Sequence, residues 1–245
     1  MSNGVIAQLF SGRLDQELLR VVPPPEDEET LEILLSALDR FLEREVDGAS
    51  IDREGHLPES VLLGCKQLGL FGLVIPEEFG GFGLGARSYF KIMERVAAAC
   101  GATAVTLGAH QSIGLKALLL AGSQEQKQMW LPACASGERI AAFALTEPEA
   151  GSDAASIKTR LVEEGDDLIL DGGKIWITNG GFASLFTVFA RLGDTIRAVI
   201  VPRELHGLST GEEEKKLGIR GSSTTTVTFE SVRVPRANLL SGDGF

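Results

Sequence analysis

The hydrophobic period of the chain changes near residue 138, so one half must be built from helices and the other from strands. Before that point the period is helical. Leu31, Leu34, Leu35, Leu38 and Leu42 recur at helical spacing with acidic residues between them. Pro23, Pro24 and Pro25 stop any helix from running into this segment. Pro58 opens a helix that continues to Leu68, with Gly69 as its C-terminal cap. A short apolar run over 71–76 leads into the glycine-rich loop 77–85, and 89–100 is helical again. The stretch 102–121 is apolar on nearly every face, which predicts a buried central helix. Ser123 caps a last helix over 124–135, closed near Gly137.

After residue 138 the segments 140–145, 156–162, 168–177, 186–190, 196–201 and 224–234 are rich in β-branched and aromatic residues and read as strands. Turn signals occur at Glu164-Gly165-Asp166, Asp171-Gly172-Gly173, Gly193-Asp194 and His206-Gly207. The predicted fold class is α+β with two domains. An all-α domain occupies 1–138, and a small antiparallel β-barrel or sandwich occupies 139–245. The chain ends in a polar, glycine-containing loop over 238–245, after which we expect a further segment to follow.

Charge narrows the partners. Thirty-four acidic against 23 basic residues give a net charge of −11, which argues against nucleic acid and against an anionic membrane surface. A few local donors can still bind an anionic ligand within that field. The apolar run 117–121 is too short to span a membrane, so no transmembrane segment is expected. Cys65, Cys100 and Cys134 are far apart and odd in number, which reads as free thiols in a reducing compartment. His56, His110 and His206 are too scattered for a His-based metal site. Residues 1–22 carry Asp15 and Glu17 and lack the long apolar core of a signal peptide. A cytoplasmic protein is the simplest reading, with a mitochondrial protein shorn of its presequence as the alternative.

Generic catalytic motifs are missing. Gly81-Phe82-Gly83-Leu84-Gly85 has the wrong spacing for a dinucleotide loop, and there is no Walker loop, HExxH or GxSxG. Two segments stand out instead. In Phe143-Ala144-Leu145-Thr146-Glu147-Pro148-Glu149-Ala150-Gly151-Ser152-Asp153 a strand ends at Leu145 and a Pro- and Gly-bearing loop follows. Such a loop exposes backbone N–H groups, with hydroxyls at Thr146 and Ser152, and Gly151 lets a ligand approach the backbone. A plain capped turn has the same composition. In Gly173-Lys174-Ile175-Trp176-Ile177-Thr178-Asn179-Gly180-Gly181, Trp176 offers a flat apolar wall, and Thr178, two residues on, shares its face of a strand. A core Trp before an Asn-Gly turn would look alike.

Taken together these segments closely resemble the acyl-CoA dehydrogenase family, whose signatures read TEP-x-x-GSD and W-I-T-N-G. Asp153-Ala154-Ala155-Ser156-Ile157-Lys158-Thr159, Val74-Ile75-Pro76-Glu77-Glu78-Phe79-Gly80-Gly81 and Ala121-Gly122-Ser123 extend the resemblance from about residue 30 to Phe245. Thr106-Leu107-Gly108-Ala109-His110-Gln111-Ser112 and Lys216-Leu217-Gly218-Ile219-Arg220-Gly221-Ser222 are similar to the very-long-chain branch, including its paralogue in respiratory complex I assembly.

The resemblance implies FAD as cofactor and oxidation of a long-chain fatty acyl-CoA to the trans-2-enoyl-CoA in fatty acid β-oxidation. It further implies an electron-transfer flavoprotein as acceptor and a homo-oligomeric full-length protein. Carried over by position, Phe143, Leu145, Thr146, Gly151, Ser152, Trp176, Ile177 and Thr178 would contact the cofactor. Ser152, Thr106, Gly108 and Ala109 would contact substrate, with the small Gly108 and Ala109 leaving room for a long tail. Close helix packing is the competing explanation for Gly108. His110 reads as a satisfied core histidine. The family's C-terminal helical bundle, which supplies the base, is absent from this sequence, and Gly242-Asp243-Gly244-Phe245 resembles the junction that precedes it. No residue is assigned as catalytic. A non-catalytic assembly protein, or an inactive truncated product, is the alternative implied by the same resemblance.

Overall fold

The computed structural model describes residues 10–12 and 28–240. The readings made on 23–25 and 242–245, and most of those on 1–22, lie outside the described residues. The helical half begins with α1 (Glu28–Glu45), which turns Leu31, Leu38, Phe41 and Leu42 inward. A short α2 (Gly48–Glu54) is capped by the Asp47 carboxylate, which accepts from the Ser50 N–H. Helix α3 (Glu59–Gln67) starts after Pro58 and stops where Gly69 takes φ +68°. There the Leu70 N–H reaches back to the Cys65 carbonyl at 2.9 Å, a Schellman closure that matches the expected cap. Helix α4 (Ala86–Ala99) packs against α1 and the next helix.

The central segment is continuous but not uniform. It consists of α5 (Gly101–Gly108), a π-helical turn (Ala109–Gly114) and α6 (Lys116–Ala121). The expected helix is therefore present, with a π-bulge in its middle. Close packing and hydrogen bonding accompany the bulge. A Cβ on Gly114 would lie 3.0 Å from that of Ala141, and the Gly114 carbonyl accepts a 2.6 Å hydrogen bond from Thr187 Oγ1. Neither is the segment buried on every face, since Ile113 and Leu120 are exposed. The whole run of 21 residues is long and apolar enough to cross a membrane by length and composition alone, which the short stretch 117–121 did not reveal. In this fold, 56% of its apolar window is buried. Helix α7 (Gln124–Ala135) carries a full capping box, Ser123 and Gln126 each accepting from the other's backbone N–H.

Seven strands follow among the described residues: β1 (Ala141–Ala144), β2 (Arg160–Glu164), β3 (Asp167–Thr178), β4 (Leu185–Leu192), β5 (Thr195–Pro202), β6 (Leu208–Thr210) and β7 (Thr224–Pro235). They form one sheet in the order β1-β4-β2-β3-β7-β6, with β5 on the other edge pairing of β4. The sheet is mixed rather than wholly antiparallel, because β4 runs parallel to both β1 and β2. The long excursion from β1 through the loop to β2 brings these strands to β4 from the same end, a relation no local turn signal reveals. Asp171-Gly172-Gly173 is not a turn either. It lies within β3 opposite a bulge in β7, where Leu170 and Gly172, two apart, face Val232 and Phe229, three apart; Gly172 sits at φ +145° and a Cβ there would lie 2.7 Å from Thr159 Cα. Strand β2 begins at Arg160, and residues 154–156 form a 3₁₀ turn instead. Strand β6 escaped the sequence reading because three residues carry no period.

Three apolar clusters hold the described residues together. One lies among α1 to α5 and one inside the curled sheet. The third joins the halves, packing Leu115, Leu118, Leu131 and Cys134 against Ala141, Leu185, Ala198 and Ile200. All three cysteines are buried and free.

Candidate functional site

The loop after β1 is built by hydrogen bonds, not by turn propensity alone. Glu147 and Ala150 exchange both backbone bonds at 3.1 Å, closing a tight four-residue hairpin. The Glu147 carboxylate turns inward and accepts from the backbone N–H groups of Lys158 (2.6 Å) and Thr159 (2.9 Å) and from Lys174 Nζ (2.7 Å). Lys174 also donates to the Leu145 carbonyl at 2.9 Å, and the Ile175 N–H donates to the Thr146 carbonyl at 2.9 Å. The Lys174 and Glu147 side chains are 0% and 6% exposed, so this is a buried ion pair. Burial alone pushes the Glu147 carboxyl upward, but the donors at Lys158, Lys174 and Thr159 outweigh it and hold the group at about 2. Burial draws the Lys174 ammonium down, while the hydrogen bond to Glu147 and its charge oppose that pull. Such a pair contributes geometry more than net stability.

Beside this loop, β3 itself bulges between Lys174 and Ile177. Trp176 takes φ +57°, a left-handed conformation that a bulky residue rarely adopts, and the residue is 62% exposed. The bulge breaks the simple two-residue repeat. Lys174 and Ile177, three apart, are the buried residues, so the expectation that Trp176 and Thr178 share a face by strand alternation does not carry across it. Ile177 points into the sheet core, and any contact it makes on the exposed side falls to its backbone. Asn179, also at positive φ, is buried, with Nδ2 donating to the carbonyls of Thr106 (3.0 Å) and Ala141 (3.3 Å). The Asn-Gly turn thus exists, and its Asn side chain ties β3 to α5 and β1.

The expected residues divide by exposure. Gly151 and Ser152 are exposed, with nothing within 4 Å of a Cβ on Gly151. Phe143, Leu145, Thr146 and Thr178 are half-buried, and Phe143 meets the Phe189 ring at 5.1 Å. On the helical side Thr106 is buried against Asn179, and Ala109 is buried. Gly108 is half-buried, and a Cβ there would meet only Met93 Cε at 3.8 Å and the Tyr89 hydroxyl at 3.9 Å. Close helix packing therefore does not explain this glycine. One turn on, Ser112 Oγ donates to the Gly108 carbonyl, and Ser112 lines a cavity of about 380 Å³ with Val74, Leu84, Tyr89, Gln111 and Lys116. A larger groove of about 670 Å³, between the start of α7 and Arg236, shares no residue with this region.

His110 is the satisfied core histidine expected of it. Its Nδ1 accepts the Ala141 N–H at 2.8 Å, and Nε2 lies 3.2 Å from the Cys134 carbonyl. Four residues with positional roles were missed: Glu147, Lys174, Asn179 and Gln111, whose amide bonds both Val74 N–H and the Leu70 carbonyl. Only a charged residue inside a strand, at Lys174, signalled one of them in the sequence.

Residues 28–138 match the acyl-CoA dehydrogenase N-terminal domain and residues 142–232 the acyl-CoA dehydrogenase middle domain. Over all of this chain and 40% of the relative, it is 43% identical to a mitochondrial very long-chain specific acyl-CoA dehydrogenase of Macaca fascicularis. A probable acyl-CoA dehydrogenase of Bacillus subtilis (strain 168) is 44% identical over 86% of this chain and 36% of its own. The crystal structure of an acyl-CoA dehydrogenase complexed with FAD from Bacillus anthracis superimposes with a TM-score of 0.81 at 39% identity, covering 90% of this chain and 39% of that one. The chain thus spans about two-fifths of the length of these relatives, which come from a mitochondrial and from bacterial sources. With two family domains matched in order and this fold behind them, the chain belongs to the acyl-CoA dehydrogenase family.

Proposed function

We propose that this chain forms the flavin-side wall and part of the acyl groove of an FAD-dependent acyl-CoA dehydrogenase acting on long-chain fatty acyl-CoA. The observation that carries this reading is the pairing of a rigid donor loop with Trp176, held outward at φ +57° next to it. A strained, exposed aromatic beside oriented backbone groups suits a flat, acceptor-rich ring. The open space at Gly151 suits the same ligand's approach to the backbone.

When bound, FAD would accept the hydride that leaves the β-carbon of the acyl chain, giving the trans-2-enoyl thioester. In this reading Phe143, Leu145 and Thr146 line the ring edge, Trp176 packs beside it, and Thr178 offers its hydroxyl. The Ile177 contribution is a backbone one. Gly151 and Ser152 serve the pyrophosphate and the pantetheine arm. Thr106, Gly108 and Ala109 lie on the helix that leads toward the tail, and the room at Gly108 supports a long chain. None of these residues takes the α-proton. The same reading divides the chain into a helical domain to residue 138 and a flavin-binding domain from 139. It assigns electron transfer to an electron-transfer flavoprotein, a homo-oligomeric assembly for the full-length protein, and a cytoplasmic setting.

The visible absorbance spectrum of the purified protein, with FAD and then long-chain acyl-CoA added anaerobically, tests this. Flavin bands retained through gel filtration are expected. Bleaching by substrate would extend the reading to a complete site. A protein that retains no flavin would overturn the flavin-wall assignment and favour an interaction role for the same fold.

A further inference from the structure

We infer that Lys174 is a positioning residue, which aims and polarises the Thr146 N–H as a hydrogen-bond donor for the flavin; this rests on the flavin reading above. The peptide joining Leu145 to Thr146 is planar and trans, so its C=O and N–H point in opposite directions. The Leu145 oxygen is fixed at 2.9 Å from the buried Lys174 ammonium. The Thr146 N–H must then face the other way, out of the buried pocket and toward the half-buried side of the loop. A carbonyl that accepts from a cation withdraws charge from its own amide and strengthens the N–H as donor.

Lys174 can do this only because Glu147 holds it. The carboxylate is anchored by the two backbone donors at Lys158 and Thr159, so the ammonium has one position, not several. The adjacent Ile175 N–H fixes the next carbonyl, that of Thr146, which leaves the intervening peptide no freedom to flip. Lys174 also opens the bulge that turns Trp176 outward, so one residue sets the loop and borders the aromatic wall.

The test uses two measurements on the whole chain. First, amide hydrogen exchange of the wild-type protein is followed with and without FAD. The Thr146 amide should slow about tenfold or more on binding, the protection expected of a charge-assisted bond. If FAD binds and Thr146 exchange is unchanged, the inference is overturned. Second, Lys174→Met is combined with Glu147→Gln, which removes both charges so that neither is left buried alone. The folded double variant should bind FAD about tenfold more weakly. Without FAD, its Thr146 amide proton should move upfield. Wild-type affinity, or an unmoved Thr146 resonance, would overturn the inference and leave the flavin reading intact. If the double variant does not fold, the wild-type exchange decides. A wild-type protein that binds no FAD would sink both readings, an outcome distinct from failure of the variant alone.

Discussion

His110 Nδ1 accepts the N–H of Ala141 at 2.8 Å, joining the π turn of the central helix to the first residue of the sheet. The contact fixes the tautomer, because the proton must then sit on Nε2, facing the Cys134 carbonyl. Burial pushes this imidazole from 6.5 down to about 4, although the carbonyls of Cys134 and Phe71 oppose the shift. The folded state therefore binds fewer protons than the unfolded state between these values. Stability is full above pH 6.5, falls as pH drops from 6.5 to 4, and loses roughly 3 kcal/mol in all. Denaturant unfolding at a series of pH values should show this slope, and His110→Asn should flatten it. A wild-type profile flat between pH 7 and 4 would contradict it.

Glu147 governs a second, more acidic window. Its carboxyl falls from 4.5 to about 2 on folding, so its contribution is present above pH 4.5 and lost as pH falls through 2. Glu147→Gln leaves Lys174 buried without its counter-charge and should cost about 3–5 kcal/mol at pH 7. Chemical denaturation checks the magnitude. The variant's acid limb below pH 4.5 should also be shallower than that of the wild type.

Trp176 makes the opposite prediction for stability and binding. Its side chain is exposed and its backbone is strained, so Trp176→Gly relieves strain of about 1–3 kcal/mol while removing little buried surface. The variant should melt at or above the wild-type temperature, yet hold FAD more weakly. A large loss of melting temperature would mean that the indole supports the fold.

Gly108 separates a tail channel from simple helix packing. The space beside it accepts a Cβ at ordinary contact distance, so Gly108→Ala should gain about 0.5–1 kcal/mol from helix propensity. Gly108→Phe should instead project toward Tyr89 and Met93. Acyl-CoA binding titrations across chain lengths should then show a shift toward shorter tails. Destabilisation by the Ala variant would restore the packing explanation.

How much of this was legible in the sequence varies by scale. Helix ends were readable because caps are local: Pro58, Gly69 and the Ser123–Gln126 box act within one turn of their own residues. Most strands were readable from their β-branched runs. The π turn was not, because what accompanies it, Ala141 packing on Gly114 and Thr187 bonding its carbonyl, comes from strands far along the chain. The register break at Gly172 looked like a turn for the same reason: a glycine signals an unusual φ but not whether a partner strand continues past it.

The sequence by itself determined the helix-then-strand order, the segments of the candidate site and, through their resemblance, the family. Periodicity, caps and contiguous motifs all act over short distances along the chain. Only the tertiary structure decided that β4 runs parallel to β1 and β2, that Trp176 faces outward while Ile177 faces in, and that Lys174 reaches Leu145 and Glu147 across 29 and 27 residues. A buried charge finds its partner in space, and the sequence carries no period for that.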